Sequence, residues 1–95
     1  GAARLRLPVL LDGVTGVAAG LAAVALCPAA SGYLIAAHAG AEPGIGVGLS
    51  ALELTPVIDL GLALGEGTGA ALAVPILRAS VAVMTKMATL ASLLG

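Results

Sequence analysis

Aromatic and charged residues are scarce in this sequence. Among its 95 residues Tyr33 is the one aromatic, charged residues make up 9%, and the formal net charge is −1. Nucleic-acid binding depends on clustered Lys and Arg that neutralise phosphates and on aromatic rings that stack on bases. Because the sequence has neither feature, we exclude a nucleic-acid partner.

Cysteine and histidine occur once each, as Cys27 and His38. A single cysteine cannot form an internal disulfide, which favours a reducing cytoplasm. We expect Cys27 to be a small buried side chain. Metal sites need several Cys, His or acidic ligands at defined spacings. Since such residues are scattered here, we expect no metal and no other cofactor.

Hydrophobic residues make up 60% of the sequence, and the mean hydropathy is +1.16. The run Gly13–Ala41 contains no Lys, Arg, Asp or Glu and exceeds the ~20 residues that cross a bilayer. Pro28, Gly32 and His38 interrupt this run, and no Trp or Phe is present to lie at a membrane interface. We therefore expect a piece of a larger protein with no membrane partner; a small helical membrane protein is an alternative.

Short apolar runs alternate with Ala-rich stretches along the chain. Leu7–Leu11 and Tyr33–Ala37 are predicted strands, and Pro56–Leu60 is predicted to be a third strand or an extended segment. Three stretches are predicted helices: Val14–Leu26, Pro43–Leu52 and Thr68 to about Leu90, the last with a kink at Pro75. This alternation predicts an α/β fold with a parallel sheet built from β-α-β units.

Polar residues follow the predicted strands. Asp12 follows the first, His38 follows the second, and the segment Asp59–Glu66 begins at the end of the third. In parallel sheets ligands bind at the carboxyl ends of the strands. We therefore expect these residues to meet at one edge of the sheet, which is where an active site belongs.

Glycine brackets one carboxylate before the last predicted helix. Gly65 and Gly67 flank Glu66, and glycine permits a sharp turn and close approach of a ligand to the main chain. Thr68 is a predicted N-cap for the helix that follows. The first amides of that helix, in the Gly67–Ala70 region, are expected to hold phosphate or another anion, with Glu66 at the rim.

Four blocks of sequence together carry a family resemblance. They are VLLDG at Val9–Gly13, YLIAAH at Tyr33–His38, AEPG at Ala41–Gly44, and LGLALGEGTGAALAVPILRAS at Leu60–Ser80. In order and spacing they resemble the C-terminal part of the nicotinate-nucleotide:dimethylbenzimidazole phosphoribosyltransferase family. The resemblance implies a Rossmann-like parallel sheet with flanking helices, of which this chain is only a part. Residues 1–67 would belong to the large α/β domain and 68–95 would form an active-site helix and contribute to a small helical domain. It also implies a homodimer.

The resemblance implies a reaction and roles for individual residues. Phosphoribosyl is transferred from nicotinate mononucleotide to 5,6-dimethylbenzimidazole, giving α-ribazole 5′-phosphate and nicotinate, with Glu66 as the general base. Residues implied to contact these small-molecule substrates are Leu64, Gly65, Gly67, Gly69, His38, Glu42 and Asp12. For His38 and Asp12 a structural role, as a hydrogen-bonded residue or a helix cap, is the alternative.

Some positions depart from the pattern that the family usually shows. Ala39, Gly40 and Ile45 occupy places where a basic residue, a serine and a histidine are usual, and Ala63 replaces a basic residue. Lost contacts to a charged group cost ~1.5–3 kcal/mol each. A catalytically silent α/β ligand-binding or structural module is therefore an alternative function, and we expect the isolated chain to be inactive in either case.

Overall fold

A computed structural model describes residues 1–60 and 67–94 of the chain. Two short strands, β1 (Val9–Leu11) and β2 (Leu34–Ala36), are accompanied by helices α1 (Val14–Leu26), α2 (Pro43–Ala51), α3 (Thr68–Lys86) and α4 (Leu90–Leu93). Two 3₁₀ helices, Ala2–Leu5 and Pro28–Tyr33, precede β1 and β2. The elements α1 and α2 match the predicted helices to within one residue, whereas both strands are shorter than predicted.

The two strands form a parallel sheet in which Val9 pairs with Leu34 and Leu11 with Ala36. Helix α1 connects them, so β1, α1 and β2 form the predicted β-α-β unit. A parallel pair requires such a crossover because the chain must return to the end of the sheet from which it started. The α/β class is thereby confirmed.

The third predicted strand, Pro56–Leu60, is present only as an isolated parallel bridge between Ile58 and His38. The Val57 N–H donates to the Ala36 carbonyl at 2.9 Å, so the segment does lie beside β2. Pro56 has no N–H to contribute to a ladder. Of the two predictions for Pro56–Leu60, a strand or an extended segment, the structure supports the extended segment, which lies parallel to β2.

Helices cover both faces of the sheet. Leu34 and Ala36 of β2 face one hydrophobic cluster with residues of α1 and α2, whereas Ala37 lies in a second cluster with Ala73 of α3. Successive residues of an extended chain point to opposite faces, which accounts for this division. The first cluster contains Leu11, Val17, Leu34, Ala36, Ile45 and Leu49, and the second contains Ala37, Ile58 and Ala73.

Helix α3 is anchored at its beginning and exposed along the rest of its length. Its buried residues are Gly69 and Ala73, whereas Val81, Val83 and Met84 are exposed. The radius of gyration is 15.3 Å, against about 12 Å expected for a compact domain of this length. The helix ends at Lys86, before the predicted Leu90. The chain thus has an apolar helix surface that its own described residues do not cover.

Within the described residues, α3 is long and apolar enough, by length and composition, to cross a membrane. It has 19 residues and a mean hydropathy of 1.5 over the most apolar stretch, of which 11% is buried. Core helices of soluble proteins meet the same criterion, so this is weak evidence. A parallel sheet is present as well, which the alternative of a purely helical membrane protein does not predict.

The single cysteine, Cys27, is exposed, so the expectation of a buried side chain was wrong. It follows the last residue of α1 in an extended conformation, with φ −148° and ψ 95°. This change of backbone direction takes the residue off the helix, and Pro28 begins the 3₁₀ helix directly after it. Position in a connection between two elements, and not residue type, therefore decides its exposure.

Candidate functional site

The carboxylate of Asp12 is the centre of the polar contacts at the carboxyl edge of the sheet. Asp12 directly follows β1, and His38 lies two residues beyond β2. The His38 ring nitrogen Nε2 lies 3.2 Å from Asp12 Oδ1. The side chain of Asp12 is 22% exposed and that of His38 only 3%. The prediction that these two residues meet at one sheet edge is confirmed.

Asp12 also binds the beginning of α3. The Gly67 N–H donates to Asp12 Oδ2 at 3.0 Å, and the Ala70 N–H donates to Asp12 Oδ1 at 3.1 Å. The residue in the N-cap position is Gly67, and the helix begins at Thr68, so the prediction of Thr68 as the N-cap was wrong. A carboxylate from a distant strand replaces the local cap because it satisfies helix amides and lies at the positive end of the helix dipole.

His38 fits tightly between Asp12 and α3. A Cβ added to Gly69 would overlap ring atoms Cδ2, Nε2 and Cγ of His38, so the ring lies directly against the Gly69 backbone. The other ring nitrogen, Nδ1, is buried without a hydrogen-bond partner among the described residues. Since Nε2 faces a carboxylate, the geometry favours an Nε2–H that donates to Asp12.

Several influences act on the Asp12 carboxylate. Burial raises its pKa. Hydrogen bonds from the N–H groups of Ala70 and Gly67, together with the charge and hydrogen bond of His38, lower the pKa by more than burial raises it. The net pKa of Asp12 is below its ordinary value of 3.8. Asp12 is therefore ionised at neutral pH, and its two oxygens are occupied by donors from the protein itself.

Glu42 occupies the N-cap position of α2 but its side chain makes no capping hydrogen bond, and the residue is exposed. Its Oε1 lies 3.9 Å from the position that a Cβ on Gly13 would occupy. The Glu42 carboxylate thus reaches the residue after Asp12. The structure therefore places Glu42 close to the carboxyl end of β1, next to the residue that follows Asp12.

The other predicted site residues divide into two groups. Leu64, Gly65 and Glu66 lie outside the described residues. Gly67 and Gly69 are described, and Gly67 has φ +79°, a left-handed conformation that favours glycine. Two of the amides proposed to hold phosphate, those of Gly67 and Ala70, already donate to Asp12. Sequence reasoning missed this acceptor, because a strand-terminal aspartate usually caps the helix that comes next.

The loop after His38 is apolar at the positions that depart from the family pattern. A Cβ added to Gly40 would overlap Ile45 Cδ1 and lie 3.4 Å from His38 Cε1. Ile45 is 2% exposed and belongs to the hydrophobic cluster with α1. The Ile45 side chain therefore occupies the space that a side chain at position 40 would need.

Metal ligands do not cluster in residues 1–60 and 67–94: no group of three or more His, Cys, Asp or Glu lies close enough together to hold an ion. The arrangement is instead one of a carboxylate, an imidazole and helix amides. These contacts join the ends of β1 and β2 to the beginning of α3.

Comparison with known proteins identifies the family to which this arrangement belongs. Residues 1–93 match a phosphoribosyltransferase family. The chain belongs to this family. It is 54% identical over 89 residues to the nicotinate-nucleotide–dimethylbenzimidazole phosphoribosyltransferase of Salinispora tropica, with 94% of this chain and 24% of that protein covered. The protein of the same name from Mycobacterium tuberculosis is 52% identical over 88 residues, with 93% and 24% covered.

A solved member of the phosphoribosyltransferase family has the same fold over this region. The crystal structure of CobT from Thermus thermophilus superposes with a TM-score of 0.89 at 44% identity, covering 96% of this chain and 27% of that one. The chain thus spans about a quarter of the length of the relatives it matches. For the experiments below we define the test enzyme as the Salinispora tropica protein in which this chain replaces the segment it matches.

Acid titration of Asp12 should reduce the stability of the test enzyme. Because the folded pKa of Asp12 lies below 3.8, its contribution is fully present above the unfolded pKa and is lost as pH falls through the folded value. Asp12→Asn has no such titration. We expect the difference in unfolding free energy between the unmodified enzyme and Asp12→Asn to shrink as pH falls from about 5 to about 2.5. Urea unfolding at several pH values measures it; a difference that grows on acidification contradicts the expectation.

Restoring a side chain at Gly40 should destabilise the enzyme unless Ile45 is shortened. Gly40→Ser alone is expected to cost about 1–2 kcal/mol of unfolding free energy, since the new side chain would overlap the buried side chain of Ile45. Ile45→Val removes the Cδ1 atom that the new side chain would meet. The double variant should therefore be more stable than the sum of the single changes predicts, by about 1 kcal/mol in a double-mutant cycle. Strict additivity would show that the two positions are not matched.

Proposed function

We propose that the complete enzyme carrying this chain transfers phosphoribosyl from nicotinate mononucleotide to 5,6-dimethylbenzimidazole, and that Glu66 is its general base. The proposal is supported by the match of residues 1–93 to the phosphoribosyltransferase family and by the names of the relatives. The product, α-ribazole 5′-phosphate, serves cobalamin synthesis.

The chemistry requires one group that accepts a proton near the reacting nitrogen. Glu66 takes the N–H proton of the benzimidazole, and the lone pair of the other ring nitrogen attacks the anomeric carbon of nicotinate mononucleotide. The bond from that carbon to the nicotinate nitrogen breaks, and its electrons leave with nicotinate. Attack from the opposite face inverts the configuration from β to α. General-base assistance of this kind contributes about 10²–10⁴-fold in rate.

The position of Glu66 in the chain is the observation that carries the proposal. Gly67, its immediate neighbour, is bound to Asp12 at the carboxyl edge of the sheet. Ligands bind at this edge in parallel sheets. Leu64 and Gly65 are proposed substrate contacts on the other side of Glu66. Gly67 and Gly69 shape the beginning of α3, because one has a left-handed backbone and the other packs on His38.

His38 and Glu42 flank the pocket in this proposal. Glu42 is exposed and reaches towards Gly13, so it is free to meet a substrate hydroxyl. His38 is buried, and its contacts with Asp12 and Gly69 make it a wall of the pocket. We further propose a cytoplasmic homodimer in which the sheet continues as a Rossmann-like domain and α3 joins a small helical domain.

The Glu66→Gln variant of the test enzyme tests directly whether Glu66 is the general base. The amide cannot accept the proton, so we expect turnover to fall by about 10²–10⁴-fold. Binding of nicotinate mononucleotide, measured by calorimetry, should change by less than about threefold because the shape of the side chain is kept. Product is quantified chromatographically as α-ribazole 5′-phosphate.

Glu53→Gln is the matched control for this experiment. Glu53 is an exposed glutamate just after α2, and the same chemical change there should leave turnover unaltered. Unchanged turnover in Glu66→Gln would falsify the base assignment.

A second candidate function is a catalytically silent ligand-binding module. It is favoured by the apolar contact between Gly40 and Ile45, where the family pattern has polar side chains. The unmodified test enzyme separates the two candidates, since its other segments come from the Salinispora tropica protein. Absence of turnover with retained nucleotide binding supports the silent module; turnover comparable to that of the parent protein excludes it.

A further inference from the structure

We propose that the carboxylate of Asp12 is a built-in anion, which occupies an anion pocket at the beginning of α3 and keeps phosphate from binding there. The pocket consists of the backbone amides of Gly67 and Ala70 and the imidazole of His38. The inference goes beyond the proposed function, since it concerns anion binding and does not depend on the reaction. It gives Asp12 a role other than contact with substrate.

The first argument is that donors from different parts of the chain converge on one carboxylate. The Gly67 N–H donates to Asp12 Oδ2 at 3.0 Å, and the Ala70 N–H donates to Asp12 Oδ1 at 3.1 Å. The His38 Nε2 atom lies 3.2 Å from the same Oδ1. Backbone amides at a helix N-terminus are groups that bind phosphate and other anions in proteins. The donors around Asp12 are therefore the ones that a free anion would use.

The second argument is that packing holds these donors in place independently of Asp12. His38 is 3% exposed, and its ring lies directly against the backbone of Gly69, where no Cβ fits. Ala73, about one turn further along α3, is fully buried in the hydrophobic cluster that contains Ala37. Because α3 also lies on the sheet through these apolar contacts, removal of the carboxylate should leave the pocket open and its donors in position.

The third argument is the charge that already occupies the pocket. Burial raises the pKa of Asp12, but the amides of Ala70 and Gly67 and the contact with His38 lower it more, so the carboxylate is ionised at neutral pH. An ionised carboxylate repels phosphate and already lies at the positive end of the α3 dipole. A free anion would also have to displace a group that is attached to the protein and therefore has a high effective concentration.

One consequence rests on the proposed function: the phosphate of nicotinate mononucleotide binds away from the Gly67 and Ala70 amides. A glycine next to a helix N-terminus is typical of phosphate sites, which is why the sequence predicts an anion there. An internal carboxylate uses the same amides equally well. Asp12 thus determines specificity at this edge of the sheet, because it leaves the substrate phosphate to other groups of the complete enzyme.

The test is chemical replacement of the carboxylate in the test enzyme. Asp12→Ala keeps the Cβ atom, so formate has the size of the group that is removed. The Asp12 side chain is 22% exposed, so the vacated pocket is open to solvent. We expect formate, at about ten times its dissociation constant, to raise the Tm of Asp12→Ala by about 2–4 °C and that of the unmodified enzyme by much less. Calorimetry with inorganic phosphate should show about one additional bound phosphate per chain in Asp12→Ala.

Asp59→Ala is the matched control, because it removes an exposed carboxylate. Formate should affect its Tm no more than that of the unmodified enzyme. Equal formate shifts in Asp12→Ala and Asp59→Ala would overturn the inference. So would equal numbers of bound phosphates in Asp12→Ala and the unmodified enzyme.

Asp12→Asn carries the test if the alanine variant does not fold. It keeps the shape of the side chain but removes the charge that the amides bind, so we expect its Tm to fall by about 4 °C or more. Asp59→Asn should change the Tm by less than about 2 °C. Similar Tm values for the two variants would contradict the inference. None of these measurements involves turnover, so a failure of the proposed function, which Glu66→Gln tests, is distinguishable from a failure of this inference.

Discussion

Gly69→Ala in the test enzyme is expected to lower the unfolding free energy by about 1–2 kcal/mol and turnover by about 10²-fold. A methyl group at this position overlaps the His38 ring. The ring is buried and bound to Asp12, so it cannot move aside alone. Either α3 shifts outward or the contact between His38 and Asp12 breaks, and both changes alter the beginning of α3, which directly follows the proposed base Glu66 in the sequence.

Helix propensity opposes this loss but does not offset it. Alanine is favoured over glycine within a helix by about 1 kcal/mol, whereas overpacking a rigid site costs about 1–3 kcal/mol and occasionally more. The overlap involves three ring atoms of a buried side chain, not the end of a flexible one. We therefore place the net effect on the destabilising side.

Gly46→Ala is the matched control. Gly46 also lies within a helix, α2, but nothing is within 4 Å of the position that its Cβ would take. The substitution should raise the unfolding free energy by about 0.5–1 kcal/mol and leave turnover unchanged. Urea unfolding and steady-state rates measure both variants. If Gly69→Ala behaves like Gly46→Ala, the close packing of α3 on His38 is not real.

The purified 95-residue chain is expected to give no α-ribazole 5′-phosphate from nicotinate mononucleotide and 5,6-dimethylbenzimidazole. The chain spans about a quarter of the relatives it matches. Its described sheet has two named strands, whereas sheets in stable domains usually have about four to six. Most of α3 beyond Ala73 is also exposed, so the described residues leave this helix largely uncovered.

Self-association should accompany this inactivity. Exposed apolar residues such as Ile76, Val81 and Met84 form a surface on α3 that monomeric proteins rarely leave uncovered. Size-exclusion chromatography of the isolated chain should therefore show species larger than a monomer. The test enzyme, assayed at the same concentration, is the positive control for turnover. Product formed by the isolated chain above the background rate would contradict the prediction.

The local sequence pattern was sufficient to predict the helices and strands that depend mainly on residues close to one another in the sequence. Helix α1 occupies the predicted residues because an Ala-rich run is bounded by Gly13 and Pro28. The parallel β-α-β order followed from the alternation of apolar runs with helical stretches. The pattern left open whether Pro56–Leu60 is a strand or an extended segment, because its one bridge depends on a partner that the run itself does not specify.

The sequence predicted which polar residues lie at the edge of the sheet but not all of the hydrogen bonds that they make. The meeting of Asp12 and His38 followed from their positions after two parallel strands. That Asp12 binds the beginning of α3 was not predicted, since the capping rules describe neighbours along the chain and this cap comes from 55 positions away. Thr68 has the side chain of a good N-cap, yet it is the first residue of the helix. The N-cap position is occupied by Gly67, which has a left-handed backbone conformation.

The sequence by itself determined the α/β class, the order of elements and the family resemblance, because these depend on residue type and on spacing along the chain. The tertiary structure decided which face of the sheet each helix covers, why Gly69 has no room for a side chain, and what the carboxylate of Asp12 holds. These features depend on distances between segments far apart in sequence, and such distances exist only after the strands have paired and the helices have packed against them.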